Sequence, residues 1–549
     1  NHGFPSLVTG DERPVCKNVV GFLVNHSLEP EHFNYPEFYS YLFGGALYSY
    51  YLLGGMWQLD YVGTSAGFTW FFSPGEIALI GRILSTLMGG LAVGIVWLIG
   101  KRAYGYGAAA GGALFATTSV SLVNQARFAL PDITMVFFCQ IALLFLLEVC
   151  QKGHWRYYVI GGLVIGVATS TKYNAGMLCF GMLSAHVVQC KGMTFRKVLL
   201  DWRLFLSGAA ILLGFVAGSP YWVVSHSYEK YIHFLRYEHG NMHFSLVGDK
   251  GELWAFLYEI FSMEWAWGFL GLAGCGFSLY KRESVDLIIL SIILPTLIYI
   301  GSWTKFSLHY IAFVVPMMGL LGARFLVTYV DKYTNFTVPI LVALVIPNGL
   351  DSIKSGSVLR QKDVRLDAAE WIEKNIPSGT VLGIYSNQYA PMIKKVQLEK
   401  KILDEVIGTQ NNRPEVISLL NQLRQTSVFY NTVALEYSTT DVRVPAYYRD
   451  KVDLANPKIM YIFKRDYLSY ERMKQQGVEF VILPASAYSR FFEKSKLTQS
   501  ESAEYFHYMR NRNYIKQFFN DNENRFEVVR EFLPYNGDVR GKITIFKLI

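Results

Sequence analysis

The amino-acid sequence predicts a polytopic α-helical membrane protein of about ten transmembrane helices, with outer-face juxtamembrane helices and a C-terminal soluble α/β domain. Hydrophobic residues occupy 52% of the 549 positions and charged residues only 17%, whereas soluble proteins carry about 25% charged residues. The charge is also uneven, because 40 charged residues lie in residues 1–350 and 54 lie in residues 351–549. A membrane domain is therefore predicted over residues 1–350 and an extracytoplasmic domain over residues 351–549. Disordered, collagen-like and nucleic-acid-binding proteins are excluded.

Ten apolar stretches approach the length needed to cross a hydrocarbon layer of about 30 Å. They lie at residues 77–100, 106–124, 131–150, 157–174, 175–190, 203–224, 265–280, 285–303, 308–328 and 336–350. Lys and Arg residues gather at every second boundary between them, as at Lys101 and Arg102. Because positive residues favour the cytoplasmic side, residues 1–76, the loop 225–264 and the chain after residue 350 are predicted to face outward from the plasma (inner) membrane.

Residues 38–57 form one more apolar segment, which is rich in Tyr and Gly. If this segment crossed the membrane, Lys101 and Arg102 would lie outside. Its composition favours the interface, so a helix on the outer face is predicted, within a first outer loop that spans residues 1–76. The resulting parity predicts a further transmembrane helix before residue 1.

The polar C-terminal part has the pattern of an α/β domain. Residues 363–377 predict an amphipathic helix that Pro377 ends. Short β-branched runs at residues 380–385, 479–483 and 542–548 predict strands. Nucleotide binding has no support, because no phosphate-binding glycine motif precedes a helix.

Ionisable side chains gather on the predicted outer side, where charges at helix ends are costly and face a cavity or one another. Carboxylates there can act as a general base or bind a divalent metal, and cations can bind a phosphate. The candidate acids are Asp11, Glu12 and Asp132. The candidates for phosphate binding are Lys172, Arg127, Arg82 and Tyr173, with His239, His243, Lys305 and His309 as possible loop contacts. An outward polar cavity that accepts a lipid-linked phosphosugar is the site these residues predict.

The same residues stand in an ordered series of motifs: TGDERP, HFNYPEFYSYL, GRILSTLMGGL, ARFALPD, TKYNAG, GSPY and HYIAFVVP. In this order the sequence resembles the membrane glycosyltransferases of family 39, which have the GT-C fold and include protein O-mannosyltransferases and lipid A aminoarabinose transferases. The resemblance implies a polyprenyl-phosphate sugar donor, an acceptor that is a protein, lipid or glycan, and an inverting transfer on the outer face. It places the catalytic acid at Asp11, with Glu12 beside it and a second carboxylate at Asp132. It also implies membrane-surface helices over about residues 20–57.

Structural roles remain open for these residues. Arg127 and Asp132 can pair with each other or cap a helix. Lys172 and Arg82 can snorkel at helix ends, and His239 and His243 can be ordinary loop residues. Two other functions also remain open, a transporter and a catalytically silent subunit of a membrane complex. A transporter predicts an inverted repeat and charges in mid-membrane. A silent subunit is favoured if the first helix is absent.

Overall fold

The structure is a computed structural model, and the residues it describes fall into sixteen ranges. These are residues 11–55, 62–224, 227–233, 235, 253–303, 307–330, 337–360, 362–385, 390–391, 393, 430–438, 463–488, 509–510, 512–516, 525–534 and 542–549. Within them, the chain before residue 376 is helical apart from turns and the irregular segment 25–37, and every strand follows residue 380.

The helices before residue 361 form the first part of the molecule. They are α1 Glu12–Val24, α2 Phe38–Leu52, α3 Val62–Phe72, α4 Pro74–Tyr104, α5 Tyr106–Thr118, α6 Val120–Gln125, α7 Pro131–Lys152, α8 Trp155–Thr171, α9 Leu178–Gln189, α10 Phe195–Leu199, α11 Trp202–Gly218, α12 Ser227–His233, α13 Leu253–Met263, α14 Trp265–Lys281, α15 Ser284–Gly301, α16 Val315–Val330 and α17 Thr337–Arg360. Short 3₁₀ helices occur at Tyr173–Met177, Pro220–Trp222 and Leu308–Ile311.

Each predicted apolar stretch contains one of these helices. Four helical segments are long and apolar enough to cross a membrane, and they are Pro74–Tyr104, Pro131–Lys152, Phe195–Gly218 and Ser284–Gly301. The apolar helix Val315–Tyr329 is shorter. The structure thus contains helices of membrane-spanning length, while the number of about ten transmembrane helices stays a prediction.

Helix α2 corresponds to the segment predicted to lie at the outer interface. Its Tyr39 hydroxyl donates to Gly81 O at 3.3 Å and lies 3.0 Å from Ser85 Oγ, so α2 is held against α4. Tyr39, Phe43 and Leu47 on the same side are buried against α1 and α4. Packing of α2 on the outer helices therefore organises the region that contains Asp11.

Helices α8 and α11 contact each other along a seam of glycines. A Cβ on Gly162 would lie 2.7 Å from Ser207 O, and one on Gly166 would lie 2.6 Å from Phe215 N. A Cβ on Gly214 would meet the carbonyl oxygen of Leu163. The two helix backbones therefore lie so close together that a side chain at these positions would collide with the other helix. Such close contact at glycines is common between membrane helices.

A buried cation stabilises the end of the bundle predicted to be cytoplasmic. Arg324 on α16 forms ion pairs with Asp286 in the first turn of α15 and, at 2.7 Å, with Glu283. The Asp286 carboxylate also accepts a hydrogen bond from the Tyr104 hydroxyl at 2.8 Å. Arg324 and Asp286 are almost inaccessible to solvent, so each supplies the partner that the other charge requires.

The described residues after 361 form helices around a mixed sheet. The helices are α18 Val364–Asn375, α19 Tyr470–Gln475 and α20 Ala485–Tyr488, and the strands are β1 Val381–Ile384, β2 Asn431–Ala434, β3 Glu436–Ser438, β4 Arg465–Tyr467, β5 Phe480–Pro484, β6 Phe526–Phe532 and β7 Ile543–Leu548. The main sheet has the order β2-β1-β5-β7-β6, and β3 and β4 form a separate antiparallel pair.

The helix and the three strands predicted in this part are present as α18, β1, β5 and β7. Asp363 caps α18, because its carboxylate accepts a hydrogen bond from the Arg365 N–H at 2.9 Å. Strand β5 is parallel to β1 and antiparallel to β7, so the three predicted strands are adjacent. Strands β2 and β6 are additions to the predicted set, and the division of the chain near residue 350 remains a prediction.

The glycine seam predicts how single substitutions affect stability. We expect Gly166→Ala to destabilise the fold by about 1–3 kcal/mol, because the added methyl group meets backbone atoms of α11 that cannot rotate away. Thermal unfolding of the purified protein in detergent measures the loss.

Gly208→Ala on α11 is the matched control, since a Cβ there has no neighbour within 4 Å. It should leave the unfolding temperature unchanged or raise it, because alanine favours the helical backbone over glycine. Equal effects of the two substitutions would contradict the close contact of α8 with α11.

Candidate active site

Asp132 and Lys172 meet because two consecutive antiparallel helices bring their ends together. Pro131 begins α7, where a missing N–H costs little, and Asp132 occupies its first turn. Lys172 directly follows the last residue of α8, so its cation lies at the negative end of that helix. The Lys172 Nζ lies 2.6 Å from Asp132 Oδ1, and the two side chains are only 7% and 2% exposed. Asp132 therefore pairs with Lys172, not with Arg127.

Two tyrosine rings surround the lysine of this pair. The Lys172 Nζ lies 5.4 Å from the centre of the Tyr35 ring and 5.5 Å from that of Tyr310. Tyr35 comes from the segment between α1 and α2, and Tyr310 from the 3₁₀ helix Leu308–Ile311. Aromatic faces stabilise a desolvated cation, so both rings support a charged Lys172.

Glu12 and Arg82 form a second buried pair. The Arg82 Nε and Nη2 atoms donate to the two oxygens of Glu12 at 2.8 Å and 2.7 Å. Glu12 Oε1 also accepts a hydrogen bond from the Ala129 N–H at 2.8 Å, and Glu12 is 0% exposed. Glu12 therefore joins α1, α4 and the segment before α7. A direct catalytic role for Glu12 and phosphate binding by Arg82 stay predictions, and both side chains are engaged in this contact.

Asp11 lies immediately before Glu12 but in a different environment. It is the N-terminal capping residue of α1, its side chain forms no capping hydrogen bond, and it is exposed. Burial raises the pKa of the Tyr35 hydroxyl, and the negative charges of Asp132 and Asp11 raise it further. Asp11 and Asp132 therefore both act electrostatically on the same tyrosine, whose ring centre lies 5.4 Å from the Lys172 Nζ.

Arg127 contacts the last helix of the membrane part. Its Nη2 donates to Ser352 O at 2.7 Å, and its Nη1 donates to Asn124 Oδ1 at 3.0 Å and Ser355 Oγ at 3.3 Å. The guanidinium thereby holds α17 against the segment that follows α6. Phosphate binding by Arg127 remains a prediction.

Tyr173 lies near a buried carboxylate that the sequence analysis did not single out. Glu37 is 1% exposed, and among the described residues neither of its carboxylate oxygens has a hydrogen-bond partner. Its backbone N–H donates to Ser219 Oγ at 3.2 Å. Tyr173 lies edge-on to Trp222, with 6.1 Å between the ring centres. Burial raises the pKa of Glu37 to about 7, so this carboxyl group takes up a proton more readily than a solvated one.

The structure describes one of the four predicted loop contacts and leaves the other three outside its described residues. His309 lies next to Tyr310, with 4.2 Å between the ring centres. Lys305, His239 and His243 lie outside the described residues. Of the four predicted loop contacts, His309 therefore belongs to the cluster around Lys172.

One group of potential metal ligands occurs within the described ranges, and it lies far along the chain from the acids above. It consists of His186, Cys190 and Asp201. The ring nitrogens of His186 lie 2.7 Å from the Tyr158 hydroxyl and 2.9 Å from Val198 O. Asp201 is paired with Arg203 at 2.6 Å. These contacts occupy the histidine nitrogens, so the group holds the loop after α9 together instead of offering a metal site.

Three residues of the site were not among the candidates predicted from the sequence, namely Tyr35, Tyr310 and Glu37. All three lie in segments that carry the sequence resemblance, HFNYPEFYSYL and HYIAFVVP. Tyrosine is abundant at any membrane interface, so its type by itself gave no signal. The position of Tyr35 and Tyr310 on either side of Lys172 is visible only once the helices are assembled.

Comparison with known protein families gives one partial match. The family model described as dolichyl-phosphate-mannose-protein mannosyltransferase matches residues 67–222. This match confirms the sequence resemblance over that part of the chain, which includes Arg82, Asp132 and Lys172. Comparison with curated protein sequences gives no match.

Several solved structures are similar to this chain, and three of them are as follows. ArnT from Cupriavidus metallidurans bound to undecaprenyl phosphate has 16% identity and a TM-score of 0.45, over 76% of this chain and 87% of that chain. The apo oligosaccharyltransferase of Archaeoglobus fulgidus has 11% identity and a TM-score of 0.47, over 88% of this chain and 66% of that chain. The same organism's AglB in complex with an inhibitory peptide and a dolichol-phosphate has 13% identity and a TM-score of 0.45, over 100% and 86% of the two chains.

Glu37 predicts a pH dependence of stability. Because the folded protein keeps its pKa near 7 and the ordinary value is 4.5, the unfolded chain releases a proton that the folded protein retains between these values. Stability should therefore fall as the pH rises from about 4.5 to about 7 and then level off, by about 1–3 kcal/mol. Glu37→Gln should reduce this decline, and the part that remains comes from Glu264, whose pKa burial also raises to about 7.

Thermal unfolding in detergent at pH 5 and pH 8 measures the difference for each variant. Glu229→Gln, which changes an exposed carboxylate on α12, is the control and should keep the decline. An unchanged pH profile in Glu37→Gln would show that Glu37 is solvated or ion-paired in the folded protein.

Proposed function

We propose that this protein is a membrane glycosyltransferase that moves a sugar from a polyprenyl-phosphate donor to an acceptor hydroxyl on the outer face of the membrane, with inversion at the anomeric carbon. The observation that carries the proposal is the contrast between neighbouring acids. Glu12 is buried and bound by Arg82, and Asp132 is buried and bound by Lys172, whereas Asp11 is exposed.

The partial family match supports this assignment. Its description names a dolichyl-phosphate-linked mannose donor and a protein acceptor, and the matched residues 67–222 supply both members of the Asp132–Lys172 pair. Helices of membrane-spanning length in the same part of the chain are appropriate for a lipid-linked donor. Neither observation assigns the sugar or the acceptor of this protein.

Asp11 acts as the general base in the proposed reaction. The acceptor oxygen attacks the anomeric carbon, its proton passes to the Asp11 carboxylate, and the bond between the anomeric carbon and the phosphate oxygen breaks. Polyprenyl phosphate leaves with the bonding electrons. A single displacement of this kind inverts the anomeric configuration. Glu12 acts as a positioning residue, because its contacts with Arg82 and Ala129 fix the first turn of α1.

Lys172 supplies the positive charge that stabilises the leaving phosphate. Its ammonium group is held by Asp132 and lies beside the rings of Tyr35 and Tyr310, so it does not have to be reoriented when the phosphate arrives. Pre-organised charge of this kind stabilises a transition state more than mobile charge does. An ammonium group has three donors, so a phosphate oxygen can bind it while Asp132 remains in contact.

Asp11→Asn tests the role of the base. The amide keeps the shape of the side chain and cannot accept the proton, so we expect transfer to fall by about 10²–10⁴-fold. Binding of undecaprenyl phosphate, measured by its protection against thermal unfolding, should be retained. Transfer is followed in proteoliposomes that contain dolichyl-phosphate mannose and the other polyprenyl-phosphate sugars as candidate donors.

Asp351→Asn is the matched control, since Asp351 is an exposed aspartate on α17. It should transfer sugar at the parent rate. If Asp11→Asn does the same, Asp11 is not the base, and Asp132→Asn becomes the next variant to measure. If the parent protein uses no candidate donor yet binds polyprenyl phosphate, a catalytically silent subunit becomes the better proposal.

The proposed outer location predicts where the C-terminal part is accessible. Protease added to sealed spheroplasts should remove an epitope tag placed after residue 549 and should leave a tag in the loop at residues 191–194 intact. The reason is that Lys191 lies at a positive, cytoplasmic boundary. Digestion of the tag at 191–194 alone would invert the orientation and contradict a site on the outer face.

A further inference from the structure

The C-terminal part of the molecule contains a polar cavity of about 610 Å³ that the proposed reaction does not use. It lies between the segment from β4 to α19, the helical residues 512–516 and the beginning of β6. A volume of this size falls within the range of small-ligand sites. We call it the tyrosine pocket, and its principal side chains are Tyr467, Tyr470, Tyr514, Arg510, Arg525 and Asp466.

The tyrosines form a wall that is rigid before any ligand binds. The rings of Tyr467 and Tyr514 stack with 4.3 Å between their centres and 20° between their planes. Tyr385 at the end of β1 stacks against Tyr514 at 6.2 Å and 12°. The Tyr514 hydroxyl donates to Leu468 O at 3.2 Å. A ligand that enters therefore meets an ordered surface and does not have to order these side chains.

The two arginines of the pocket differ in their contacts. Arg525 Nη1 donates to Glu471 Oε1 at 3.1 Å, and its guanidinium lies 4.9 Å from the centre of the Tyr470 ring. Arg510 lies 5.7 Å from the centre of the Tyr467 ring, and its Nη2 atom is buried without a hydrogen-bond partner among the described residues. The Arg510 side chain lines the cavity, and a guanidinium keeps its charge and only donates hydrogen bonds, so it is suited to an oxygen acceptor on a ligand.

The lining also contains a carboxylate that can bind hydroxyl groups. Asp466 Oδ1 accepts the Tyr467 N–H at 2.9 Å, which orients the group. A carboxylate has further lone pairs that can accept hydrogen bonds. The pocket thus combines an anion donor, a hydroxyl acceptor and ordered tyrosines within one ligand-sized space.

We infer that the tyrosine pocket binds an acidic saccharide, with a sugar carboxylate on the Arg510 guanidinium and sugar hydroxyls on Asp466. A planar guanidinium binds a carboxylate at two points, which a neutral sugar cannot reproduce. The choice of a saccharide rests on the proposed function, since a glycosyltransferase gains from a second site that retains a glycan acceptor. Binding itself requires no transfer.

Isothermal titration of the full-length protein in detergent tests the pocket directly. The probes are trigalacturonate as the acidic saccharide, maltotriose as a neutral saccharide of the same length, and inorganic phosphate as a small anion. We expect trigalacturonate to bind at least about tenfold more tightly than maltotriose or phosphate, the ratio that one charge-assisted contact provides.

Arg510→Gln should weaken trigalacturonate binding by about tenfold or more. Arg512→Gln, two residues along and outside the lining, is the matched control and should bind as the parent does. If Arg510→Gln fails to fold, Arg510→Lys decides, because it keeps the charge and loses the two-point contact. It should bind several-fold more weakly than the parent. Parent-like binding by either Arg510 variant overturns the inference, as does equal binding of phosphate or maltotriose.

Asp11→Asn separates this inference from the proposed function. It should lose transfer and keep trigalacturonate binding, because Asp11 does not line the pocket. Failure of the proposed function therefore appears as unchanged transfer in Asp11→Asn. Failure of the saccharide site appears as absent or unspecific binding in the titration.

Discussion

Charge neutralisation inside an apolar bundle governs how α1, α4, α7 and α8 are arranged. An isolated buried charge is expensive, so each buried cation at this end of the molecule is paired with a carboxylate. Asp132 and Lys172 join the ends of α7 and α8, and Glu12 and Arg82 join α1 to α4. With these pairs made, Asp11 is the acid of the cluster that stays exposed. The pairs that neutralise the buried charges thus leave the proposed base accessible.

The positions of charges along the sequence predict which end of the bundle contains the candidate site. The alternation of positive loops assigns Asp11, Asp132 and Lys172 to the same side, and the family resemblance places the catalytic acid at Asp11. The partners were not predictable in the same way. Arg127 is five residues from Asp132 and was a reasonable partner by spacing, yet it contacts Ser352 and Ser355, more than two hundred residues away. Which side chains pair with each other depends on how α7, α8 and α17 assemble, and no local sequence pattern indicates it.

A similar limit applies to the C-terminal part. Short β-branched runs predicted the strands β1, β5 and β7, which are the buried centre of the sheet. Strand β6 is mostly exposed and has no comparable apolar run. The tyrosine pocket collects residues from the segment between β4 and α19 and from two segments after residue 508, so its tyrosines and arginines are dispersed in the sequence. Glu37 was missed for a related reason, since only its burial distinguishes it from a surface acid.

The glycine seam constrains more than packing. Lys172 follows the last residue of α8, and α8 is in backbone contact with α11 at Gly162, Gly166 and Gly214. Neither helix can slide along the other without bringing carbonyl groups into collision. The ammonium group is therefore held in place by contacts several turns away from it. Random mutagenesis should consequently find that these glycines tolerate fewer replacements than many residues nearer to the site. Substitutions that accumulate over time should therefore be rare in this seam.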